Sequence, residues 1–427
     1  IDKGYWGFAL LALIAGIFTE PLWRIHVREG RPLPPSVLRM LKGNASPALH
    51  QDQQQQQQPH KQPLYSCSAE DLGSFLHNTT VPGMHVVCLG PSPNSPAEMA
   101  SIVTIYKWAS SSSLHVIQET LEKHEGTWDD FKSLLQSSLQ LTPANELKQP
   151  WAVYSPIGER LLAEDSPSDA STDRLFSKGM FLVMEGGQWV WPGVEKGFIR
   201  HIQLDSDHNA TLKTLSLRPL VFSVDGFLSH EECDWIREQA EPKMKLSQVT
   251  LMDKDRGRPA TDFRTSETTF LTTQTPEILE IDRRTAQLVR IPQHHQEPAQ
   301  VLRYVLNAKY DQHNDYFDPR LYQNDQNTLR LIQNGRRNRM ATVLWYLSDV
   351  EAGGETVFPK MDGSRDVPND KVCETGLQVK PTKGSVIIFY SMKPNGSLDP
   401  LSTHAACPVL EGVKWAANKW VWNAPQG

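Results

Sequence analysis

The sequence predicts an α+β protein whose C-terminal half is a sheet pair or barrel braced by helices. A smaller α/β unit and a flexible N-terminal stalk precede it. At 427 residues the chain is too long for one ordinary core, which favours two folded units joined by linkers. In the middle of the chain, apolar residues three and four apart predict helices. From Val301 onward the pattern changes to short strands, and helices followed by many strands imply a sheet braced on one side.

The first element is an apolar run at residues 4–18, directly after Lys3. We interpret residues 1–23 as a secretory signal. Because no small-x-small cleavage pattern follows, an uncleaved signal-anchor is favoured over a cleaved signal peptide. The run is shorter than the roughly 20 residues that span a bilayer comfortably, so a buried helix of the folded part is the alternative.

Two further features favour the secretory pathway, so we expect a glycoprotein of the endoplasmic reticulum, in its lumen or held in its membrane by a single-pass anchor. N-glycosylation sequons begin at Asn44, Asn78, Asn209 and Asn395. The five cysteines contain no C-x-x-C pair, which argues against a thioredoxin-like redox centre or a structural zinc. In an oxidising lumen the best predicted disulfide joins Cys373 to Cys407; Cys67–Cys88 is second, which leaves Cys233 unpaired and buried.

The next two segments lie between this run and the C-terminal half. Residues 24–65 contain scattered prolines and a glutamine tract with almost no apolar periodicity, which predicts a disordered linker. Residues 66–210 predict an accessory α/β domain of unknown role, which either supports the C-terminal domain or presents substrate. Its predicted strands are Met84–Leu89, Met180–Met184 and Gln188–Trp191, and its predicted helices are Ser113–His124 and Trp128–Leu139.

A third unit is predicted at residues 216–427. Ser229 and Glu232 have capping-box spacing at the start of one helix, and Thr275 followed by Pro276 begins another. Strands are then predicted at 301–306, 310–317, 341–347, 385–390 and 414–422. The net charge of −6 gives no support for nucleic-acid binding, which needs a concentrated basic surface.

A candidate metal site begins with His313 and Asp315, two residues apart on a predicted strand. Because side chains alternate between the faces of a strand, both point to the same side. His404, beyond the strand at 385–390, is the best candidate for a third ligand. Two histidines and one carboxylate form the facial set that leaves three positions open on ferrous iron, although an H-x-D pair alone is common by chance.

A candidate anion site follows His404. Ten residues later, Lys414 begins a strand whose alternation places Lys414, Asn418 and Trp420 on one face. If this face is the barrel interior, Lys414 is a buried cation that needs an anionic partner. The distal carboxylate of 2-oxoglutarate is the natural partner. The alternative is that Lys414 faces solvent and Lys419 faces inward.

Together these segments resemble the catalytic domain of prolyl 4-hydroxylases, which are Fe(II)- and 2-oxoglutarate-dependent dioxygenases with a double-stranded β-helix, or jelly-roll. The resemblance covers most of residues 216–425. It rests on five stretches in the family's order: EPAQVLRY at 297–304, YDQHNDYF at 310–317, RMATVLWYL at 339–347, GGETVFP at 353–359 and HAACPVLEGVKW at 404–415. A lysine at the co-substrate position favours the collagen- and plant-type prolyl branch.

The resemblance implies a role for each matching residue around the cofactors. It implies that iron is bound by His313, Asp315 and His404. It also implies that Lys414 holds the 2-oxoglutarate carboxylate, with Tyr304 and Thr342 as hydrogen-bond partners and Trp420 lining the same pocket. L-Ascorbate would restore iron that is oxidised in uncoupled turnovers.

The resemblance further implies a polypeptide substrate hydroxylated at C4 of proline, as in procollagen, with succinate and CO₂ released. The peptide would lie across Tyr310 and Arg339, near Glu297, and Arg264 would sit on a loop that closes over it. An insert at 318–338 and the absence of a 34-residue repeat in residues 66–210 depart from some family members and leave the substrate open. The alternatives are a hydroxylase of lysine or of a small molecule, and a catalytically inactive binding or assembly subunit. The complete ligand set argues against the last.

Overall fold

The computed structural model describes residues 82–91, 100–108, 114–122, 128–141, 149–172, 175, 179–363 and 366–426. The predicted signal segment and the predicted linker lie outside these ranges. Within them, no helix has the length and apolarity needed to cross a membrane. The segments predicted as accessory domain and C-terminal domain fall in one compact unit, from Pro63 to Gly427.

The accessory segment forms a six-stranded antiparallel sheet with the strand order β3-β2-β1-β6-β4-β5. Its strands are β1 (Met84–Pro91), β2 (Ala100–Trp108), β3 (Leu114–Glu122), β4 (Ala152–Tyr154), β5 (Arg160–Ala163) and β6 (Met180–Met184). Helix α1 (Trp128–Leu139) buries Trp128, Phe131 and Leu135 against one face of the sheet. The opposite face, which includes Tyr154 and Leu182, belongs to the same apolar core as the C-terminal half.

Two of the local predictions for this segment are wrong. The segment Ser113–His124 was expected to be helical, but β3 pairs with β2 at nine successive positions. Its β-branched residues favour a strand once a partner strand is available, and local periodicity alone does not reveal that partner. Gln188–Trp191 is not a strand, although Trp189–Trp191 are buried. The Trp191 N–H donates to the hydroxyl of Tyr390 instead of to a neighbouring strand. The predicted strands at Met84 and Met180 and the helix at Trp128 are confirmed.

The C-terminal half is organised around a nine-stranded antiparallel sheet with the order β10-β11-β12-β21-β14-β18-β9-β8-β7. These strands are β7 (Ile199–Gln203), β8 (Asn209–Leu217), β9 (Leu220–Asp225), β10 (Lys245–Leu246), β11 (Glu267–Leu271), β12 (Ala299–Tyr304), β14 (Arg339–Tyr346), β18 (Val386–Tyr390) and β21 (Lys414–Trp422). The sheet therefore begins with β7 and β8, before the domain start predicted at residue 216.

A second, smaller sheet lies against the large one. It has the order β13-β19-β16-β17, with β13 (Tyr310–His313), β16 (Thr356–Phe358), β17 (Leu377–Val379) and β19 (His404–Ala406). A two-stranded ribbon, β15 (Ala352–Gly353) with β20 (Val409–Glu411), lies beside it. Phe358 of β16 meets Phe389 of β18 edge-on, with ring centroids 5.1 Å apart. Two antiparallel sheets packed face to face give the predicted jelly-roll.

Helices brace the large sheet as expected. Ser229 caps α2 (His230–Ala240) with a complete capping box, and Thr275 caps α3 (Pro276–Val289). Helix α3 buries a stripe of Ile278, Ile281 and Leu288. A short helix, α4 (Gln326–Leu331), lies within the insert at 318–338.

The cysteines agree with the predicted pairing as far as the structure describes them. Cys373 and Cys407 form a disulfide with Cα atoms 5.8 Å apart, and Cys233 is buried and free. Cys88 is disulfide-bonded, and its predicted partner, Cys67, lies outside the described residues.

Candidate active site

The three predicted metal ligands meet where the two sheets face each other. His313 ends β13 and His404 begins β19, and these strands pair so that the two histidines are direct neighbours. Asp315 follows β13 and is buried. One ligand atom from each of the three side chains lies within 4.8 Å of the others. Strand pairing therefore joins ligands that are far apart in the sequence.

Hydrogen bonds fix the orientation of both imidazole rings. The Nδ1 of His313 bonds to the carbonyl oxygen of Asp311 at 2.8 Å, and the Nδ1 of His404 bonds to that of Ser402 at 3.0 Å. Because a carbonyl only accepts, each Nδ1 carries the proton and each Nε2 keeps its lone pair. The two Nε2 atoms lie 3.8 and 3.7 Å from the carboxylate oxygens of Asp315.

The protonation states of His313 and Asp315 also suit a cation. Burial and the neighbouring His404 hold the pKa of His313 well below its usual value, so this ring is neutral at physiological pH. Burial tends to raise the pKa of Asp315, but the two histidines, Arg339 and a hydrogen bond from Thr342 outweigh it and hold that pKa below its usual value. Two imidazoles with free Nε2 atoms and one carboxylate fit a divalent metal such as Fe(II).

Lys414 lies at the end of a narrow pocket beside this triad. Its side chain is 2% exposed, and its Nζ is 5.3 Å from the ring centre of Tyr304 and 5.7 Å from that of Tyr346. Burial lowers the pKa of Lys414 to about 7, while the charge of Glu355 acts to raise it. Among the residues that the structure describes, no carboxylate lies within ion-pairing distance of Lys414. A buried, unpaired ammonium fits an anionic ligand.

Lys419 is buried as well, on the opposite face of β21. Its Nζ lies 2.6 Å from the carboxylate of Asp282 on α3. The two alternatives proposed from the sequence are therefore not exclusive, because both lysines face inward on different sides of the sheet. Lys414, Ala416 and Asn418 share the pocket side, as the alternation of the strand predicts.

A wide cleft of about 850 Å³ also opens at the ligands, where His313 and Asp315 line it. Tyr310, Arg339 and Arg264 all line it. The ring of Tyr310 stacks on His313 with centroids 3.6 Å apart, and the guanidinium of Arg264 lies 4.6 Å from the centre of the Tyr310 ring. The Nε of Arg264 donates to Ser266 at 2.8 Å, whereas its buried Nη2 has no partner in the described part of the chain.

Arg339 is held in place from two sides. Glu297 accepts two hydrogen bonds from its guanidinium, at 2.6 and 3.0 Å, and another from the indole of Trp422 at 2.6 Å. The guanidinium also lies over Trp420, 3.4 Å from the ring centre. Arg339 therefore presents a fixed cationic surface to the cleft.

Three residues lie in places that differ from their predicted roles. Thr342, expected beside the 2-oxoglutarate carboxylate, donates its hydroxyl to Asp315 at 2.6 Å. Trp420, expected in the pocket of Lys414, lines the wide cleft instead. Glu297, expected near the peptide, lies behind Arg339 and does not line the cleft. Tyr304 does line the pocket of Lys414, as expected.

Sequence reasoning missed two residues of the pocket. Thr356 lines it and accepts a hydrogen bond at 2.9 Å from Tyr346. Asn418 lines both the pocket and the cleft. Thr356 lies within the GGETVFP stretch, and Asn418 lies on the predicted inner face of β21. Both residues are therefore in segments that the sequence singles out, but the sequence assigns neither of them a role in the pocket.

Comparisons with known proteins agree with this geometry. Residues 299–422 match the model of the 2OG-Fe(II) oxygenase superfamily. The Arabidopsis thaliana protein named "Probable prolyl 4-hydroxylase 10" is 40% identical over 236 residues, which cover 53% of this chain and 77% of that protein. "Probable prolyl 4-hydroxylase 3" of the same plant is 41% identical over 216 residues, or 49% of this chain and 71% of that protein.

Solved structures give similar matches. The viral collagen prolyl hydroxylase of Paramecium Bursaria Chlorella virus-1, in its 2-oxoglutarate complex, is 27% identical with a TM-score of 0.34 and covers 47% of this chain and 95% of that chain. A Pseudomonas putida prolyl 4-hydroxylase is 15% identical with a TM-score of 0.31, covering 48% of this chain and 93% of that chain.

Proposed function

The chain belongs to the prolyl 4-hydroxylase family of Fe(II)- and 2-oxoglutarate-dependent dioxygenases, and from this premise we propose that it hydroxylates C4 of proline residues in a polypeptide, in a procollagen-proline type of reaction. The observation that carries the proposal is a pair of cavities that meet at the metal-ligand triad, with Asp315 lining the cleft and His404 lining the pocket. His313, Tyr310 and Asn418 line both the narrow pocket of Lys414 and the wide cleft. A small co-substrate and a large substrate can therefore reach the same metal at the same time.

The narrow pocket suits the co-substrate. When bound, iron and 2-oxoglutarate supply the activation of O₂, and the co-substrate is converted to succinate and CO₂. Lys414 binds the distal carboxylate of the co-substrate. This anion pairs with the buried ammonium and raises the pKa of Lys414 towards its usual value. The hydroxyl of Thr356 and the ring of Tyr304 confine the chain of the co-substrate, so that its other end points to the triad.

The wide cleft suits an extended polypeptide. Tyr310 and Trp420 form the aromatic part of its wall, and Arg339 and Arg264 offer donors to peptide carbonyl groups. Because Tyr310 stacks on His313, a proline against this ring lies next to the metal ligands. These residues hold one C–H bond near the reacting centre and exclude water from it.

We also propose that the enzyme works in the endoplasmic reticulum, in the lumen or held by a membrane anchor, and that ascorbate maintains its activity. The Cys373–Cys407 disulfide supports an oxidising compartment. Asn209, at the start of β8, is exposed as a glycosylated asparagine must be. Glycosidase sensitivity of the protein from secreting cells tests this placement: a mass that does not change on glycosidase treatment contradicts it.

The activity test combines the protein with Fe(II), 2-oxoglutarate, ascorbate and a panel of peptides. The panel contains Pro-Pro-Gly repeats, other proline-rich peptides, and matched peptides with alanine in place of proline. We expect a gain of one oxygen that fragmentation assigns to C4 of proline, with succinate formed in step. Succinate without peptide oxidation would remove proline as the target and favour a hydroxylase of lysine or of a small molecule. Neither product would favour a binding or assembly subunit.

A further inference from the structure

A fully buried asparagine, Asn338, lies directly before β14 and joins two segments of the cleft wall. Its Oδ1 accepts hydrogen bonds from the backbone N–H of Phe317 at 2.9 Å and of Arg339 at 3.0 Å. Its Nδ2 donates to the carbonyl oxygen of Phe317 at 2.7 Å. The side chain is 0% exposed. A single amide therefore fixes the distance between these two segments.

Both segments contain residues of the active site. Phe317 lines the cleft and lies two residues beyond Asp315. Arg339 lines the cleft too, and its Nη1 donates to the carbonyl oxygen of Asp315 at 3.4 Å. A change at Asn338 therefore moves Arg339, the cationic wall of the cleft, relative to Phe317 on the opposite segment.

A second buried asparagine, Asn423, forms hydrogen bonds with the backbone of Asn338. Its Oδ1 accepts from the backbone N–H of Asn338 at 2.8 Å, and its own N–H donates to the carbonyl oxygen of Asn338 at 3.1 Å. Its Nδ2 donates to the carbonyl oxygen of Arg336 at 3.0 Å. Asn423 directly follows β21, so it links Asn338 to an interior strand of the large sheet.

The accessory segment completes this chain of contacts. The carbonyl oxygen of Asn423 accepts hydrogen bonds from the side chains of Gln149, at 3.0 Å, and Gln188, at 3.2 Å. Gln149 precedes β4 and Gln188 follows β6, so both are carried by the accessory sheet. Buried networks of this kind keep a geometry only while every partner is in place.

We propose that Asn338 is a positioning residue for the peptide side of the active site, and that the accessory segment stabilises it through Gln149, Gln188 and Asn423. The inference rests on the proposed function, because it concerns the wall that the peptide contacts. In this proposal the accessory segment contributes to catalysis by orienting the cleft wall, and it does not contact the substrate. The pocket of Lys414 is not part of this network, so binding of 2-oxoglutarate is independent of it.

The test compares Asn338→Ala with Asn327→Ala, which removes an exposed amide from the same insert. For Asn338→Ala we expect the KM for the peptide to rise by about tenfold, with more 2-oxoglutarate consumed per hydroxylated proline. The KM for 2-oxoglutarate should stay within about twofold of the wild-type value, since Lys414 is untouched. Asn327→Ala should behave as wild type in all three measurements.

Hydrogen exchange gives a readout that does not depend on turnover. The amides of Phe317 and Arg339 should lose protection in Asn338→Ala while those of β18 keep theirs. If Asn338→Ala does not fold, the double variant Gln149→Leu/Gln188→Leu is the second probe. It should raise the KM for the peptide by about threefold, with Gln287→Leu as the exposed glutamine control.

Two outcomes overturn the inference. One is an unchanged KM for the peptide in a folded Asn338→Ala variant; the other is an equal rise of the KM for both substrates, which indicates a general loss of structure. Failure of the proposed function is a separate result, because in that case the wild-type protein itself oxidises no peptide while the exchange measurement still reports on Asn338.

Discussion

Two lysines on one strand show how the same buried charge serves two different purposes. Lys414 and Lys419 are five residues apart on β21 and are 2% and 1% exposed. Because an odd spacing places side chains on opposite faces, one lysine faces the space between the sheets and the other faces the bracing helix. Lys419 has Asp282 as its partner at 2.6 Å, whereas Lys414 has no carboxylate partner in the part of the chain that the structure describes.

The presence or absence of an ionic partner distinguishes a structural charge from a binding site. Burial lowers the pKa of both lysines, and Asp282 acts to raise that of Lys419. The desolvation of a buried cation without a partner is offset only when an anionic ligand binds. The unpaired lysine therefore indicates the position of the anion-binding site.

The largest effect is expected from the metal ligands, because the comparison assumes that the Lys414 face is the face of the metal. His404→Ala removes an Nε2 that lies 3.7 Å from Asp315 and leaves two ligands. Turnover should fall to background, and the absorption bands of Co(II) added to the protein should weaken. His201→Ala, which removes an exposed histidine from β7, serves as the matched control. Wild-type turnover in His404→Ala would mean that the metal lies elsewhere.

The next effect is on stability, through the paired lysine. Asp282→Ala leaves Lys419 buried without a partner and should lower the free energy of unfolding by about 3–5 kcal/mol. Since the pKa of an unpaired buried lysine in the folded protein lies below its unfolded value, the folded state binds fewer protons, and stability should recover as the pH rises. Urea unfolding at pH 6 and pH 9 measures both parts. An equal loss at the two pH values would contradict the assignment of the charge.

Replacing the unpaired lysine should weaken co-substrate binding without lowering stability. Lys414→Met should raise the KM for 2-oxoglutarate by about 10- to 150-fold, the equivalent of the roughly 1.5–3 kcal/mol of a charge-assisted hydrogen bond. Without co-substrate the variant should be at least as stable as wild type, because no charge is left to desolvate. Thermal unfolding with and without 2-oxoglutarate measures both. A destabilised variant with an unchanged KM would make Lys414 a structural residue.

Replacing the whole ion pair should have a smaller effect than breaking it. The double variant Asp282→Leu/Lys419→Met keeps the volume between α3 and β21 while removing both charges. Its free energy of unfolding should lie within about 1–2 kcal/mol of wild type, and the KM for 2-oxoglutarate should not change. A large loss of stability in the double variant would show that the pair determines how the helix docks on the sheet.

The smallest effect is a pH dependence of co-substrate binding. Lys414 has a pKa of about 7 in the free protein, so the site is increasingly neutral above that pH and must take up a proton to bind the carboxylate. The dissociation constant of 2-oxoglutarate, measured on the Ni(II)-loaded protein, should therefore rise by up to about tenfold per pH unit above 7. Lys414→Arg keeps its charge and should show a flat profile; a flat profile in wild type would contradict the assigned pKa.

The sequence predicts the pocket better than it predicts the surroundings of the pocket. The alternation of β21 depends only on strand geometry, and it holds for Lys414 and Asn418. The strand predicted at 310–317 ends at His313, so Asp315 reaches the other two ligands from the segment after β13 and not through strand alternation. The partner of Lys419 could not be predicted, since Asp282 lies on a helix far away in the sequence. The pairing of β14 with its neighbouring strands directs the hydroxyl of Thr342 to Asp315. The residues around Thr342 in the sequence do not specify this pairing.

The accessory segment was the least predictable part for a related reason. The residues of β3 have no local pattern that separates strand from helix, and their pairing with β2 decides the outcome. Likewise, Gln149 and Gln188 look like ordinary polar residues until the fold brings both to the backbone of Asn423. Long-range contacts, which carry no sequence signature of their own, determine what these residues do.

The position of β21 has a consequence for how the protein is made. This strand is the last of the described strands, yet it lies between β12 and β14 in the interior of the large sheet. During synthesis, the earlier strands therefore emerge with their central neighbour missing, and β12 and β14 expose unpaired edges. The nascent chain needs protection from association until β21 is released from the ribosome. A nonsense mutation shortly before Lys414 would therefore remove far more than the co-substrate anchor, because the core of the sheet could not close.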